Sequence, residues 1–295
     1  MEPRTARRTF LVLSCISILA ALAYHFAAPL PQRLAAAAEG EPDEPSEETP
    51  APKDPAAGAD EEKGSEELEW ERPRFEERQA ERLAMVKHQI ATPYDGRKPV
   101  KAKRVLEAMR QVPRDRFVRK ADLDDAYLDH PLPIDFGQTI SQPYIVAFMT
   151  ELIELQAGEK VLEIGTGSCY QAAVLTELTP HVYTIEIIQG LAAQAKKRFE
   201  QLGYKTIKTK QADGYYGWQE HAPFDAVIVT AAAGHVPPPL VAQLKPGGRM
   251  VIPVGDVFAP QHLVVVSRTK DGDVQSRSVL PVRFVPMRGA VERGQ

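Results

Sequence analysis

Cysteine is almost absent, with Cys15 and Cys169 the two in 295 residues. One sits in an N-terminal apolar run and the other in a glycine-rich turn, which excludes a disulfide framework and a thiolate metal cluster. The histidines are few, and His88, His130, His181, His221 and His235 fall at no metal-ligand spacing, so they are expected as surface or core residues and no metal is expected. An excess of basic charge is also missing. Lys and Arg number 36 against 40 Asp and Glu, the net charge is -4, and no basic face for nucleic acid stands out. Acidic residues concentrate in residues 39–77, and the remainder is balanced or mildly basic. No internal repeat occurs. A hydrophobic share of 43% over this length suffices for a full core in one large domain or two small ones.

What is present begins at the N-terminus, where Arg4, Arg7 and Arg8 precede "FLVLSCISILAALAYHFAA", residues 10–28. This is a targeting or anchoring pattern. Its length is close to the ~20 residues that span a bilayer and suits an uncleaved anchor, while the small residues of "RLAAAAEG" offer a signal-peptidase site. Both readings stand, and residues 1–38 are assigned to a signal or membrane anchor. The arginines favour an N-terminus kept in the cytoplasm, with the rest exported or tethered on the far, periplasmic side. Residues 39–65, rich in Pro, Glu and Ala and poor in large apolar side chains, bury too little surface to order themselves and read as a disordered linker.

Helical character is predicted from Glu66 through "FEERQAERLAMVKHQI", with Phe75, Leu83, Val86 and Ile90 sharing a face. A second amphipathic helix, "VKAKRVLEAMRQV", ends before Pro113. Residues 66–140 therefore form a helical N-terminal subregion ahead of a core at 141–295. From Lys160 the pattern alternates strand and helix: "KVLEIG", "YQAAVLTELT", "HVYTIEI", "GLAAQAKKRFEQLG", "TIKTKQAD", "FDAVIVTAA", "PPLVAQL" and "GGRMVIPVG". This predicts an α/β fold, a doubly wound and mostly parallel sheet with helices on both faces. "HLVVVSRT" and a last strand near "SVLPVRFVPM" follow without a helix, as an antiparallel edge pair.

In such a sheet the ligand sits beyond the carboxyl ends of the strands. The first turn, in "VLEIGTGSCYQ", is the cofactor floor: Gly165 and Gly167 admit close backbone approach, and the helix start after Ser168 offers free N–H groups. A dinucleotide fingerprint needs a third glycine where Tyr170 stands, which argues against NAD or FAD. An acid ending the first strand and another ending the second fit S-adenosylmethionine better, with Glu163 near the cationic methionine end and Glu186 on the ribose hydroxyls. Asp213, after the third strand, is placed for the adenine amino group. Each acid singly could instead cap a strand or helix. Ser141, two residues before Pro143, also matches an ordinary helix cap.

Taken together, "GQTISQPYIVAFMTEL", "VLEIGTGS-YQAAVL", "DGYYGWQEHAPFDAVIVTAA", "QLKPGGRMVIPVG" and "VRFVPM" resemble the protein-L-isoaspartate O-methyltransferase family, in uninterrupted order over roughly residues 80 to 289. The resemblance implies a class I, Rossmann-like methyltransferase fold, S-adenosyl-L-methionine as donor, and methylation of isoaspartyl residues in damaged proteins. It implies Ser141 as the catalytic residue, with Gln138, Thr139 and Ile140 as the adjoining wall, and Glu163, Gly165, Thr166, Gly167, Ser168, Glu186, Asp213 and Gly214 as cofactor contacts. Val282, Arg283, Phe284, Val285 and Pro286, with Thr139 and Ser141, are implied at the substrate peptide. A monomer is expected, and the family is usually cytoplasmic, against the N-terminal pattern. The family usually reads "GTGSGY", and Cys169 replaces its last glycine; in a left-handed backbone that costs about 1–2 kcal/mol, in a helical one little. Cys169 as a redox-sensitive thiol is a further reading. Alternatives are an O-methyltransferase for aspartate in one dedicated peptide, or a noncatalytic binding module. The fourth strand ends "VTAAAGH", unlike the Pro-Pro-aromatic motif of nucleic-acid N-methyltransferases.

Overall fold

The computed structural model describes residues 70–256 and 260–290. The anchor expected in residues 1–38 and the linker of 39–65 lie outside the described residues, among which no helix is long and apolar enough to cross a membrane.

A seven-stranded sheet organises the chain. After a two-residue antiparallel pair, β1 (Leu132–Pro133) and β2 (Thr139–Ile140), come β3 (Val161–Ile164), β4 (Val182–Glu186), β5 (Lys208–Gln211), β6 (Phe224–Val229), β7 (Leu244–Val254), β8 (Gln261–Arg268) and β9 (Val274–Val282). Their order is β5-β4-β3-β6-β7-β8-β9, parallel through β7 and antiparallel at β8 and β9. β3 is buried throughout and β6 everywhere but Asp225, because both their faces are covered, which explains runs that are apolar apart from Glu163 and Asp225. β5 carries Lys208 and Lys210 at one edge, where charge discourages further pairing. The helices are α1 (Gln79–Met85), α2 (Lys103–Gln111), α3 (Pro143–Leu152), α4 (Tyr170–Thr176), α5 (Gln189–Leu202) and α6 (Pro238–Ala242).

Alternation along β3 sends Val161 to a core shared with α1 to α5, and Leu162 and Ile164 to a second core with Leu240 of α6 and Met287. The predicted doubly wound sheet with antiparallel edge strands is what forms. The chain leaves β3 towards β4 on one side and pairs β6 on the other, so the switch point opens at the carboxyl ends of β3 and β6.

Two elements differ from expectation. Helix begins at Gln79, because Pro73 has no N–H to donate and Arg78 takes a left-handed backbone (φ 52). Residues 70–78 instead tie down α4, through Trp70 Nε1 donating to Thr176 O at 3.0 Å and Arg74 to Glu177 at 2.9 Å. Leu83, predicted inward, is exposed, and Arg82 is buried in its place. At the other end β9 stops at Val282, since the buried Gln261 side chain takes over: its Oε1 accepts the Phe284 N–H at 2.6 Å and its Nε2 donates to Phe284 O at 3.2 Å.

The Arg82 guanidinium donates to the carbonyls of Phe75, Glu77 and Arg110 at 2.5 to 3.3 Å. Arg82→Met keeps an apolar stem but strands three carbonyls, so a loss of about 3 kcal/mol in urea unfolding is expected; an unchanged midpoint would contradict this role.

Candidate active site

The first turn is shaped by a close approach. Gly165 has φ 98, and a Cβ there would meet Thr230 Oγ1 at 2.5 Å. That hydroxyl donates to Gly165 O at 2.8 Å and Ile164 O at 3.0 Å, locking the turn against the end of β6. Gly214 is equally constrained, its missing side chain leaving room for Ile164 Cγ2, 2.3 Å from where a Cβ would stand. Above these glycines lies a pocket lined by Gln138, Thr139, Ile140, Ser141, Glu163, Gly165, Thr166, Gly167, Ser168, Glu186 and Gly214. Ile187 and Ile188, which the sequence did not single out, supply its apolar wall.

Two acids meet in this pocket. Glu186 Oε2 accepts the Gly167 N–H and its Oε1 the Ile188 N–H, both at 2.9 Å. Glu163 is fully buried; its Oε2 accepts from Thr184 Oγ1, which also shares a 2.7 Å hydrogen bond with Thr166 Oγ1. Glu163 Oε1 has no hydrogen-bond partner among the described residues. Asp213 is placed otherwise than expected for an adenine contact. It does not line the pocket, and it accepts the N–H of Tyr215 at 3.0 Å and of Ala290 at 2.7 Å, fastening the C-terminal segment. An orphaned buried oxygen and a glycine cradle between two carboxyls fit a cofactor with a cationic end and vicinal hydroxyls.

Thr139 and Ser141 line this pocket and also a second, open groove with Arg97, Tyr144, Val282, Arg283 and Phe284. Val285 and Pro286 belong to the pocket, so residues 282–286 run from one cavity to the other. Ser141 is not the helix cap its spacing suggested. Asp129 performs that task from a distance: its Oδ1 accepts the Tyr144 N–H at 2.9 Å, and its Oδ2 accepts from Gln142 Nε2 at 2.9 Å and Arg97 Nη2 at 2.6 Å. Arg97 in turn stacks over the Tyr144 ring at 4.2 Å. The Ser141 hydroxyl makes no hydrogen bond to the described residues and stays available to a ligand. No local sequence signal marked Asp129, Arg97 or Thr184, because each acts on a partner brought to it by the fold.

Cys169 precedes α4 in a left-handed conformation, φ 77 and ψ -4, so the strained alternative applies at about 1–2 kcal/mol. Its thiol is fully buried in the α4 side of the core. Burial pushes the thiol up to about 12, with Arg198 acting the other way. That environment does not make a responsive thiol. With Cys15 replaced by Ser, a disulfide reagent at pH 8 is expected to label the native protein at least about 100-fold more slowly than the guanidinium-unfolded chain; equal rates would show that the thiol is open.

Comparison with known proteins agrees with this geometry. The family model for Protein-L-isoaspartate(D-aspartate) O-methyltransferase matches residues 87–292. A Protein-L-isoaspartate O-methyltransferase 2 from Polaromonas sp. is 56% identical over 192 residues, covering 65% of this chain and 91% of the relative. A Protein-L-isoaspartate O-methyltransferase 1 from Cupriavidus necator is 60% identical over 186 residues, covering 63% of this chain and 72% of the relative. A solved protein-L-isoaspartate O-methyltransferase superposes with a TM-score of 0.59 at 29% identity, covering 65% of this chain and 63% of the other. The glycine turn, the paired acids, and the serine between two cavities therefore stand in a chain that belongs to the protein-L-isoaspartate(D-aspartate) O-methyltransferase family.

Proposed function

We infer that the chain transfers a methyl group from S-adenosylmethionine to the free α-carboxylate of isoaspartyl residues in damaged proteins, the first step of their repair. The observation that carries this reading is Ser141, whose unpaired hydroxyl lines both a pocket suited to the cofactor and the groove beside it. S-adenosylmethionine supplies, when bound, a methyl group already activated by its sulfonium. Gly165, Gly167, Glu163 and Glu186 would hold it, with Ile187 and Ile188 along its apolar part.

An α-carboxylate is ionised at neutral pH, so the attacking oxygen needs no general base. What remains for the protein is orientation, which can supply several kcal/mol. Ser141 donates a hydrogen bond to one carboxylate oxygen and fixes the direction of the other. Residues 282–284 and Arg97 flank the peptide, and Asp129 keeps α3 and Arg97 in register with Ser141. Methoxide leaves the ester more readily than oxide leaves a carboxylate, so the neighbouring backbone nitrogen attacks the ester carbonyl unaided, methanol departs as the succinimide closes, and hydrolysis returns part of it to normal aspartate. The reaction needs no partner protein, and a monomer is the state proposed. The apolar residues 10–28 with their leading arginines support a domain anchored at, or exported across, a membrane.

Labelled methyl is expected to enter an isoaspartyl peptide as a base-labile ester and to leave its aspartyl twin unlabelled; labelling of neither, with cofactor bound, would instead favour a dedicated peptide. Ser141→Ala should lower kcat at least about tenfold while S-adenosylhomocysteine affinity stays within about twofold, and unchanged turnover would remove Ser141 from the mechanism. A reporter joined after Gly64 and active only in an oxidising compartment is the expected outcome for export, and activity confined to the cytoplasm would refute it.

A further inference from the structure

Glu163 points, with Val161, to the α4 side of β3, opposite Leu162 and Ile164. Among the described residues no cation is bonded to it. From β4 come Thr184, its one hydrogen-bond donor among the described residues, and Glu186, a like charge. From the start of α4 comes Tyr170 and from just before it Cys169, both pushed up to about 12 by burial and so neutral at pH 7. Arg198 of α5 spends a donor on Ser168 O, 2.9 Å away. β6 and its turn contribute Ile228 alongside and Thr230, β2 contributes Thr139, and Arg288 stands exposed at the pocket rim. A buried carboxyl with one oxygen unpartnered and a second carboxyl nearby favours its neutral form. Burial above all pushes it up to about 8; the Thr184 hydrogen bond opposes this and Glu186 adds to it.

We propose that Glu163 sorts the methyl donor from its spent product by charge, ionising as the sulfonium-bearing donor enters the pocket and recovering its proton once only the neutral thioether remains. This rests on reading the pocket as the S-adenosylmethionine site. On donor binding the Glu163 O–H bond breaks and the proton passes to water. Methyl transfer then forms a C–O bond at the substrate carboxylate and breaks the C–S bond, whose electron pair stays on sulfur. With the sulfonium gone, the Glu163 carboxylate takes a proton back from water.

The sign of the linkage follows. Below about pH 8 the free protein holds the proton and the donor complex does not, so donor affinity rises about tenfold per pH unit and levels off near 8. Product affinity stays flat over the same interval. The α-ammonium, carboxylate and adenosine groups are common to both ligands, and measurement between pH 5.5 and about 7 keeps both amino groups charged.

The test is calorimetry of the full chain with S-adenosylmethionine and with S-adenosylhomocysteine, in phosphate and in Tris at pH 7, and affinities measured from about pH 5.5 to 7. Close to one proton released per donor, under about 0.3 per product, and a donor-to-product affinity ratio rising about tenfold per pH unit are expected. Glu163→Gln should abolish the difference in both. Equal proton counts, a flat ratio in the unmodified protein, or a slope kept by Glu163→Gln would overturn the proposal. The unmodified series decides the matter even if the variant fails to fold. Equal counts with normal binding would overturn this inference alone; binding of neither ligand would overturn the methyl-donor reading and this inference with it.

Discussion

The site hangs on one carboxylate. Glu186 ends β4 with one oxygen on the N–H of Gly167 and the other on that of Ile188, so a single side chain braces the turn after β3 and the turn after its own strand. Its strand reinforces the first of these through Ile185 O, which accepts from Gly165 N at 2.8 Å and Thr166 N at 3.3 Å. The two-residue period of a strand then places Thr184 on the same face as Glu186 and opposite Glu163 in the register. From one end of one strand come the shape of the glycine turn, the hydroxyl pair of Thr166 and Thr184, and the environment of the buried acid.

The remaining architecture sets two cavities side by side. β3, β4 and β6 carry the pocket into the middle of the sheet, while the antiparallel edge and the N-terminal layer frame an open groove. Thr139 and Ser141 belong to both, and residues 282–286 run from the groove to the pocket. Asp129 makes this arrangement possible, because by capping α3 and holding Arg97 it frees Ser141 from structural duty. A serine that was itself the cap would have its hydroxyl turned to the backbone.

Much of this could be read from the residues, and the limits have physical causes. "VLEI", "VYTIE" and "FDAVIV" announce buried parallel strands because apolar side chains fall on both faces, and the acids at or next to the ends of β4 and β3 mark the ligand end. The glycine turn was legible as a cradle, but whether Cys169 bore strain depended on a dihedral angle that its letter does not encode. Asp213 was legible as an acid after the third strand, yet its partner Ala290 is 77 residues away and nothing local announces it. Periodicity likewise put Leu83 inward and could not foresee Arg82 buried against three carbonyls, since that site exists only once α2 and residues 75–77 converge.

The tie between Asp213 and Ala290 has a consequence for synthesis. Residues 285–288 form the last wall of the pocket, set against the turn after β6 by Ala232 N–H to Val285 O at 2.8 Å and Met287 N–H to Ala232 O at 2.7 Å. Every strand of the sheet is made before that wall. The sheet, the glycine turn and the serine all precede residues 285–288, so the pocket's last wall is supplied by the stretch that follows β9. In the order of the chain the pocket is therefore finished after the sheet that carries it.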